Sequence, residues 1–432
     1  MIWSVGRFLG WRKSLEVFFR LYGHPALRKV FRTRLVGGAV PIFTLGAYRI
    51  RRLARFSDLL GSVHSLPKAS SEVRAIWKDG RLINISPSES RRQSFRIFRG
   101  GLLSASRRGG FVVARSRLYV QDSRLPGPPK LYFPNTTVGG IMEQLGDKVL
   151  LRHSIASQVI PTGLFGGSMA PHNWFHWIID TLPTLYQARF LPPEFDDFPL
   201  LVPSGALRRE NWRAALDAVA DGRRVIGVSD DRLVKVNNLV FLEGATRANP
   251  HSSLGAVSGR ISVREDLLIE YRDFILDHFD LSSVGPISGV RIFLARKAED
   301  VRRYNQPEVV EMLLKHGFKP VFLEDLTFRE SIRLFRSAEI IAGPHGAGLA
   351  NLLFCTSKTG TLMWTWAGPL EDNWYQNIAY VSGVKYHQVE TEDFPNTAEL
   401  ARQDPRISDY LVDPQKLIFG LSLIGPGDKL AL

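Results

Sequence analysis

One cysteine, Cys355, occurs in 432 residues. That scarcity excludes a disulfide framework and any zinc site built from several thiolates, and it fits a reducing compartment. Internal repeats and low-complexity tracts are missing, so solenoid and array architectures are excluded. Acidic residues are scarce at one end only. The first 120 residues hold 24 Lys/Arg against 5 Asp/Glu, whereas the remaining 312 hold 32 against 37. The net charge of +14 therefore belongs to an N-terminal segment, and the rest is a mildly acidic body. Long apolar runs are missing from that basic segment too. Its longest uncharged run, 35–48, is broken by Gly37, Gly38, Pro41 and Gly46, too short and too interrupted to span a bilayer. No small-residue cleavage site follows a short apolar core, so no secretory signal is expected.

The basic segment also interleaves Trp3, Phe8, Trp11, Val17, Phe18, Phe19 and Leu21 with its charges. Such a pattern points to helical pieces lying against an anionic membrane surface, chiefly over residues 1–60; a solvated basic arm packed on the body is the plainer alternative. Residues 61–110 are Ser- and Arg-rich without periodicity and read as a linker or irregular cap. From residue 110 strand-like runs begin, and from 168 onward short apolar strands alternate with helices of about a dozen residues, the pattern of parallel sheets covered on both faces. A single helix is expected from Asn173 to Arg189. The length allows two or three domains, and the Gly/Ser/Asn/Pro-rich stretch 243–262 reads as a break between two alternating series. The expected division is a basic, partly helical extension over 1–109, a first Rossmann-like domain over 110–255, a second over 256–390, and a tail over 391–432.

Three stretches carry candidate chemistry. Gly343-Pro344-His345-Gly346-Ala347-Gly348-Leu349 follows a buried strand and opens a helix, a turn that aims backbone N–H groups at an anion; close helix–strand packing is the plainer alternative. Arg296 stands just past the strand Ile292–Ala295, where a guanidinium forks onto a diphosphate; Arg303 and Asn305, at the next helix start, are placed to add contacts, unless this is an ordinary charged loop. His172, His176 and Asp180 recur at helical spacing. A carboxylate four residues from an imidazole orients it as a general base. The same spacing also admits a metal site, although three ligands in one row rarely converge on one ion, and a capped helix start with core tryptophans is a third reading. Cys355, beside Phe354, reads as an inert core thiol.

The run Asn173-Trp174-Phe175-His176-Trp177-Ile178-Ile179-Asp180-Thr181-Leu182-Pro183 resembles the Asn-aromatic-x-His-Trp-x-x-Asp-x-x-Pro signature of glycosyltransferase family 61. Gly343 to Asn351 resembles that family's Gly-x-His-Gly-Ala-Gly-Leu-x-Asn signature, and Phe293–Arg296 and Arg303–Gln306 resemble two elements between them. The resemblance covers about residues 110–390. It implies an α/β, GT-B-like fold of two doubly wound domains facing a cleft, here with the basic helical N-terminal extension. It also implies inverting, metal-independent transfer of a sugar from a nucleotide-sugar donor, expected to be UDP-linked, to a glycan or lipid-linked acceptor. Catalytic roles fall on His176, Asp180 and Arg296. Donor and diphosphate contacts fall on Arg296, Arg303, Asn305, His345, Gly346, Ala347, Gly348 and Asn351, and acceptor-side roles on His172, Asn173 and Trp177. No metal ligand and no cofactor is expected. The family's context adds polysaccharide or capsule synthesis in a bacterium, at the inner face of the cytoplasmic membrane, with no nucleic-acid partner. Two positions depart from the family: Met363-Trp364-Thr365-Trp366 lacks its usual Glu, and Asn305-Gln306 replaces its Asn-Glu. A sugar-nucleotide-binding scaffold and a GT-B-like epimerase remain the alternative readings.

Overall fold

The computed structural model describes residues 45–52, 63–78, 80–84, 91–106, 109–114, 117–120, 141–145, 148–152, 155–167, 170–247, 261–297, 303–365, 373–393 and 409–425. Most of the basic segment expected to be helical lies outside the described residues.

Two sheets organise the chain. The first contains β1 (Arg91–Ser106), β2 (Ile155–Gly166), β3 (Leu200–Pro203), β4 (Val225–Val228) and β5 (Leu233–Leu242), hydrogen-bonded in the order β4-β3-β2-β5-β1. The pairs β2–β3, β3–β4 and β2–β5 are parallel, and β5–β1 is antiparallel. Counted from β2, the parallel part runs 3-2-1-4, so strand order reverses between β2 and β5. Beyond β1 the sheet continues through Gly109–Ala114, Arg117–Val120, Leu45–Arg52, Lys148–Arg152 and Ile141–Leu145. The sequence expectation of a linker over 61–110 is therefore corrected. Val63–Ser70 and β1 are paired strands, and β1 shares a sheet with β5 across more than a hundred residues of chain. A doubly wound first domain is only partly realised, because most strand pairings of its sheet are antiparallel. The single helix expected over 173–189 is corrected as well, for reasons given with the site.

The second sheet is wholly parallel: β6 (Arg291–Leu294), β7 (Phe318–Val321), β8 (Ile340–Pro344), β9 (Gly360–Trp364) and β10 (Lys385–Val389), in the order β7-β6-β8-β9-β10. This is a 2-1-3-4-5 order, with its reversal between β6 and β8. Every residue of β8 and β9 is buried, as helices on both faces of a parallel sheet require.

Among the described residues, six helices of nine or more residues flank the sheets: α1 (Glu210–Ala220), α2 (Glu265–His278), α3 (Gln306–Lys315), α4 (Phe328–Ser337), α5 (Trp374–Ser382) and α6 (Pro414–Ile424). α4 starts on a complete capping box, in which the Thr327 side chain accepts from the Glu330 N–H and the Glu330 carboxylate accepts from the Thr327 N–H; two otherwise orphaned donors are satisfied together. One continuous apolar core joins the helical stretch after β2 to the second sheet, through Phe175, Trp177, Ile178, Leu349, Phe354 and Trp364 among others. A smaller core lies under the first sheet, around Phe98, Tyr119, Phe165 and Phe241.

Candidate active site

In open parallel sheets, ligands sit beyond the carboxyl ends of the strands where the strand order reverses. Both reversal points carry the residues singled out in the sequence.

At the first, the chain leaves β2 and enters a helical stretch capped by Asn173, whose side chain accepts from the Phe175 N–H at 2.9 Å. The stretch is not one α-helix. Trp174–His176 is α, Trp177–Thr181 is a π turn closed by the Leu182 N–H to the Trp177 carbonyl, and Leu182–Tyr186 is α again before a 3-10 end. Pro183 is the local cause, since it has no N–H for the preceding turn and its ring crowds the carbonyl four residues back. π turns recur at functional sites, and this one carries Asp180. His176 Nδ1 and Asp180 Oδ2 are 2.5 Å apart. The other carboxylate oxygen accepts from Thr246 Oγ1, just past β5, so the pair bridges the reversal point. Thr184 completes the frame, donating from its hydroxyl to the Asp180 carbonyl at 2.5 Å and accepting from the Ala245 N–H at 2.9 Å. The Asp180 side chain is 3% exposed and that of His176 14%. The carboxylate is thus enclosed, while the imidazole reaches solvent. With Nδ1 engaged by a carboxylate as an N–H donor, Nε2 is the ring nitrogen left to accept a proton.

At the second, Arg296 follows β6 and His345 follows β8. The Arg296 guanidinium donates to the His345 carbonyl, and a Cβ placed on Gly346 would lie 3.1 Å from Arg296 Nη2. Gly343 permits the strand beneath to close up, since a Cβ there would lie 2.9 Å from Leu294 Cβ. The backbone of Arg296 is held from both sides by Gln306, whose Oε1 accepts from its N–H at 3.2 Å and whose Nε2 donates to its carbonyl at 3.1 Å. Gln306, where the family has Glu, thus acts here as a two-sided amide clamp. Beyond His345, the expected helix runs over Ala347–Phe354 as a 3-10 helix with Gly346 at its cap.

α5 joins the two points, and the sequence reading missed its role. Tyr375 donates from its hydroxyl to the Gly346 carbonyl at 2.8 Å, and its ring meets His345 edge-on at 4.6 Å and Phe175 at 5.0 Å. Trp374 meets His176 edge-on at 5.0 Å. Two buried asparagines fix the start of this helix: the Asn373 amide donates to the carbonyls of Ala75 and Ile261 and accepts from the Ile261 N–H, while Asn377 Oδ1 accepts from the Ala75 N–H at 2.6 Å. Such fully satisfied buried amides specify one packing. The signal available in the sequence was the dense run Asn373-Trp374-Tyr375-Gln376-Asn377.

Other expected contacts have different surroundings. Asn305 grips the Val412 backbone, accepting its N–H at 2.9 Å and donating to its carbonyl at 3.0 Å. Arg303 pairs with Asp409 at 2.8 Å. Both tie the strand Tyr410–Leu411 and the start of α6 to the body. Asn351 is 1% exposed, its Oδ1 without a hydrogen-bond partner among the described residues. Trp177 is fully buried and donates to the Trp212 carbonyl at 3.3 Å. His172 lies just before the helix, outside the imidazole–carboxylate pair, and its carbonyl accepts from Arg209 at 3.0 Å. Among the described residues no three His, Cys, Asp or Glu side chains cluster as a metal site, and no helix is long and apolar enough to cross a membrane. Cys355 is buried, and that burial pushes its thiol well above the ordinary range, with Arg336 offsetting part of the effect.

Residues 174–362 match the family described as Glycosyltransferase 61, a span that contains His176, Asp180, Arg296 and His345. Similar curated proteins include the EGF domain-specific O-linked N-acetylglucosamine transferase of Drosophila melanogaster, 29% identical over 28% of this chain and 24% of the relative. The protein of the same description from Pan troglodytes is 26% identical over 34% of this chain and 30% of the relative. The matched part is thus under a third of each relative's length. The imidazole–carboxylate pair and the Arg296-backed turn both lie within the residues, 174–362, that are similar to the Glycosyltransferase 61 family.

Proposed function

We propose that the protein transfers a sugar from a nucleotide-sugar donor to an acceptor hydroxyl, with inversion and without a catalytic metal. The observation that carries this reading is the meeting of two unlike half-sites on one helix: the His176–Asp180 pair through Trp374, and the Arg296–His345–Gly346 turn through Tyr375. The departing nucleoside diphosphate develops negative charge. Arg296 and the backbone N–H groups opening the Ala347–Phe354 helix are the groups that meet it, and preorganised donors of this kind lower a barrier by several kcal/mol. His176 Nε2 takes the acceptor hydroxyl proton while the oxygen attacks the anomeric carbon and the diphosphate leaves from the opposite face. Asp180, anchored by Thr246, holds the tautomer and stabilises the imidazolium that forms. Inversion follows from a single in-line displacement.

The donor is proposed to be UDP-linked, and the acceptor a glycan or lipid-linked glycan of polysaccharide synthesis, with the basic N-terminal segment providing contact to an anionic membrane. The names of the relatives favour a second acceptor class, a hydroxyl on a protein. The test is to incubate the purified full chain with a panel of UDP-sugars and, separately, with glycan and folded-protein acceptors, reading products by mass spectrometry. Transfer to either acceptor, lost in Arg296→Ala, is expected. Donor conversion without any acceptor would replace the reading with an epimerase, and binding without turnover with a scaffold.

A further inference from the structure

A concave pocket of ≈ 180 Å³ lies at the carboxyl ends of β3 and β4, beside the start of the helical stretch that carries His176. Its lining includes His172, Gly205, Arg208, Arg209, Trp212 and Asp230. Three interactions build it. Arg209 lies over the Trp212 ring at 4.7 Å and is pinned to the His172 carbonyl at 3.0 Å. Trp212 is braced by Trp174 at 4.5 Å. The Asp230 carboxylate accepts from the Gly205 N–H at 3.2 and 3.0 Å and faces Arg208 at 3.7 Å. α1 is joined to the second sheet's side by Asn211, which donates to the Leu326 carbonyl at 2.9 Å, so the pocket's wall is continuous with that junction.

We propose that this pocket is a saccharide subsite for a neutral sugar ring of the acceptor; the assignment to the acceptor rests on the transferase reading above. A guanidinium and a carboxylate side by side offer a donor and an acceptor to adjacent hydroxyls, and the Trp212 indole beside them adds apolar wall. Both guanidiniums already have partners, Arg208 in Asp230 and Arg209 in the Trp212 ring and the His172 carbonyl, which favours a neutral ligand over an anionic one. The position fits a chain entering past His172, four residues before the proposed base.

The test uses saturation-transfer NMR on the full chain with methyl glycosides of glucose, galactose, N-acetylglucosamine and glucuronic acid. At least one neutral glycoside is expected to give signal. Its affinity should fall roughly tenfold, about 1.4 kcal/mol, in Arg208→Ala, whose side chain is 70% exposed, and in Asp230→Asn, which keeps an oxygen for the Gly205 N–H. UDP is not expected to displace it. Absence of signal from every neutral glycoside, equal binding in both variants, displacement by UDP, or preference for the glucuronoside would overturn the proposal. A variant-sensitive glycoside signal in a protein that consumes no nucleotide sugar would retain the saccharide site and remove the transferase reading alone.

Discussion

The two sheets solve the same positional problem with opposite chemistry. The parallel part of each reverses its strand order once, and each sets its candidate site groups at that reversal. The first places an imidazole backed by an enclosed carboxylate, a device for accepting a proton. The second places a guanidinium against a glycine turn, a device for receiving negative charge. The first sheet is mixed and extended by distant strands; the second is short and parallel, with its strands β8 and β9 buried on both faces. In the proposed mechanism, proton handling and charge handling are thereby kept on separate scaffolds, with α5 as their common contact.

The most damaging change to the first half is His176→Ala. It is expected to lower kcat by about 10²–10⁴ with donor KM little changed, as steady-state transfer kinetics would read. A loss confined to donor KM would break the proposed division. On the second half, Gly346→Ala brings a methyl against Arg296 Nη2 at 3.1 Å. Its backbone is extended, so no strain arises from the substitution itself. The expectation is a guanidinium pushed aside, raised donor KM and a fall of roughly tenfold or more in kcat/KM, with thermal stability nearly unchanged.

How much of this was legible beforehand depends on the range of the interactions. The second sheet's strands and the three candidate stretches were readable because local apolar runs, glycines and spacing determine them. Arg296 meeting His345 was foreseeable as two strand ends in one parallel sheet. The strands over 63–106 were not, because their side-chain sequence is polar and their partners are non-local: β1 pairs with β5, which follows it by more than a hundred residues. Asn305 read as a donor contact from its motif position, and its bonds to the Val412 backbone, 107 residues away, could not be read there. Tyr375 was missed for the same reason, as nothing near it in sequence announces Gly346.

Between the halves, Tyr375→Phe removes one hydroxyl bond to the Gly346 carbonyl and keeps the ring. The expected cost is about 0.5–1.5 kcal/mol, seen as a several-fold loss in kcat/KM that a full return of activity on restoring Tyr would verify. No change at all would mean that the halves are coupled through packing alone. The smallest effect concerns Cys355, remote from both half-sites. Because burial raises its thiol pKa, the folded protein should stay protonated there and unreactive toward iodoacetamide at about pH 8.5, where a free thiol is half ionised. Denaturant should release the reactivity. Rapid labelling of the native chain would show that the core around Phe335 and Phe354 opens.

The π turn over Trp177–Thr181 has a consequence for reading relatives by eye. It accommodates one more residue than an α-turn would, so the apolar pattern before it and the pattern after it are out of phase by about 100° around the axis. A helical wheel drawn straight through from Trp174 to Tyr186 assigns the wrong faces to everything beyond Asp180. A relative that lacked one residue in this turn would preserve the His–x–x–x spacing only by giving up the inward face of Leu182 and Leu185, so the length of the turn, as much as its letters, belongs to the signature.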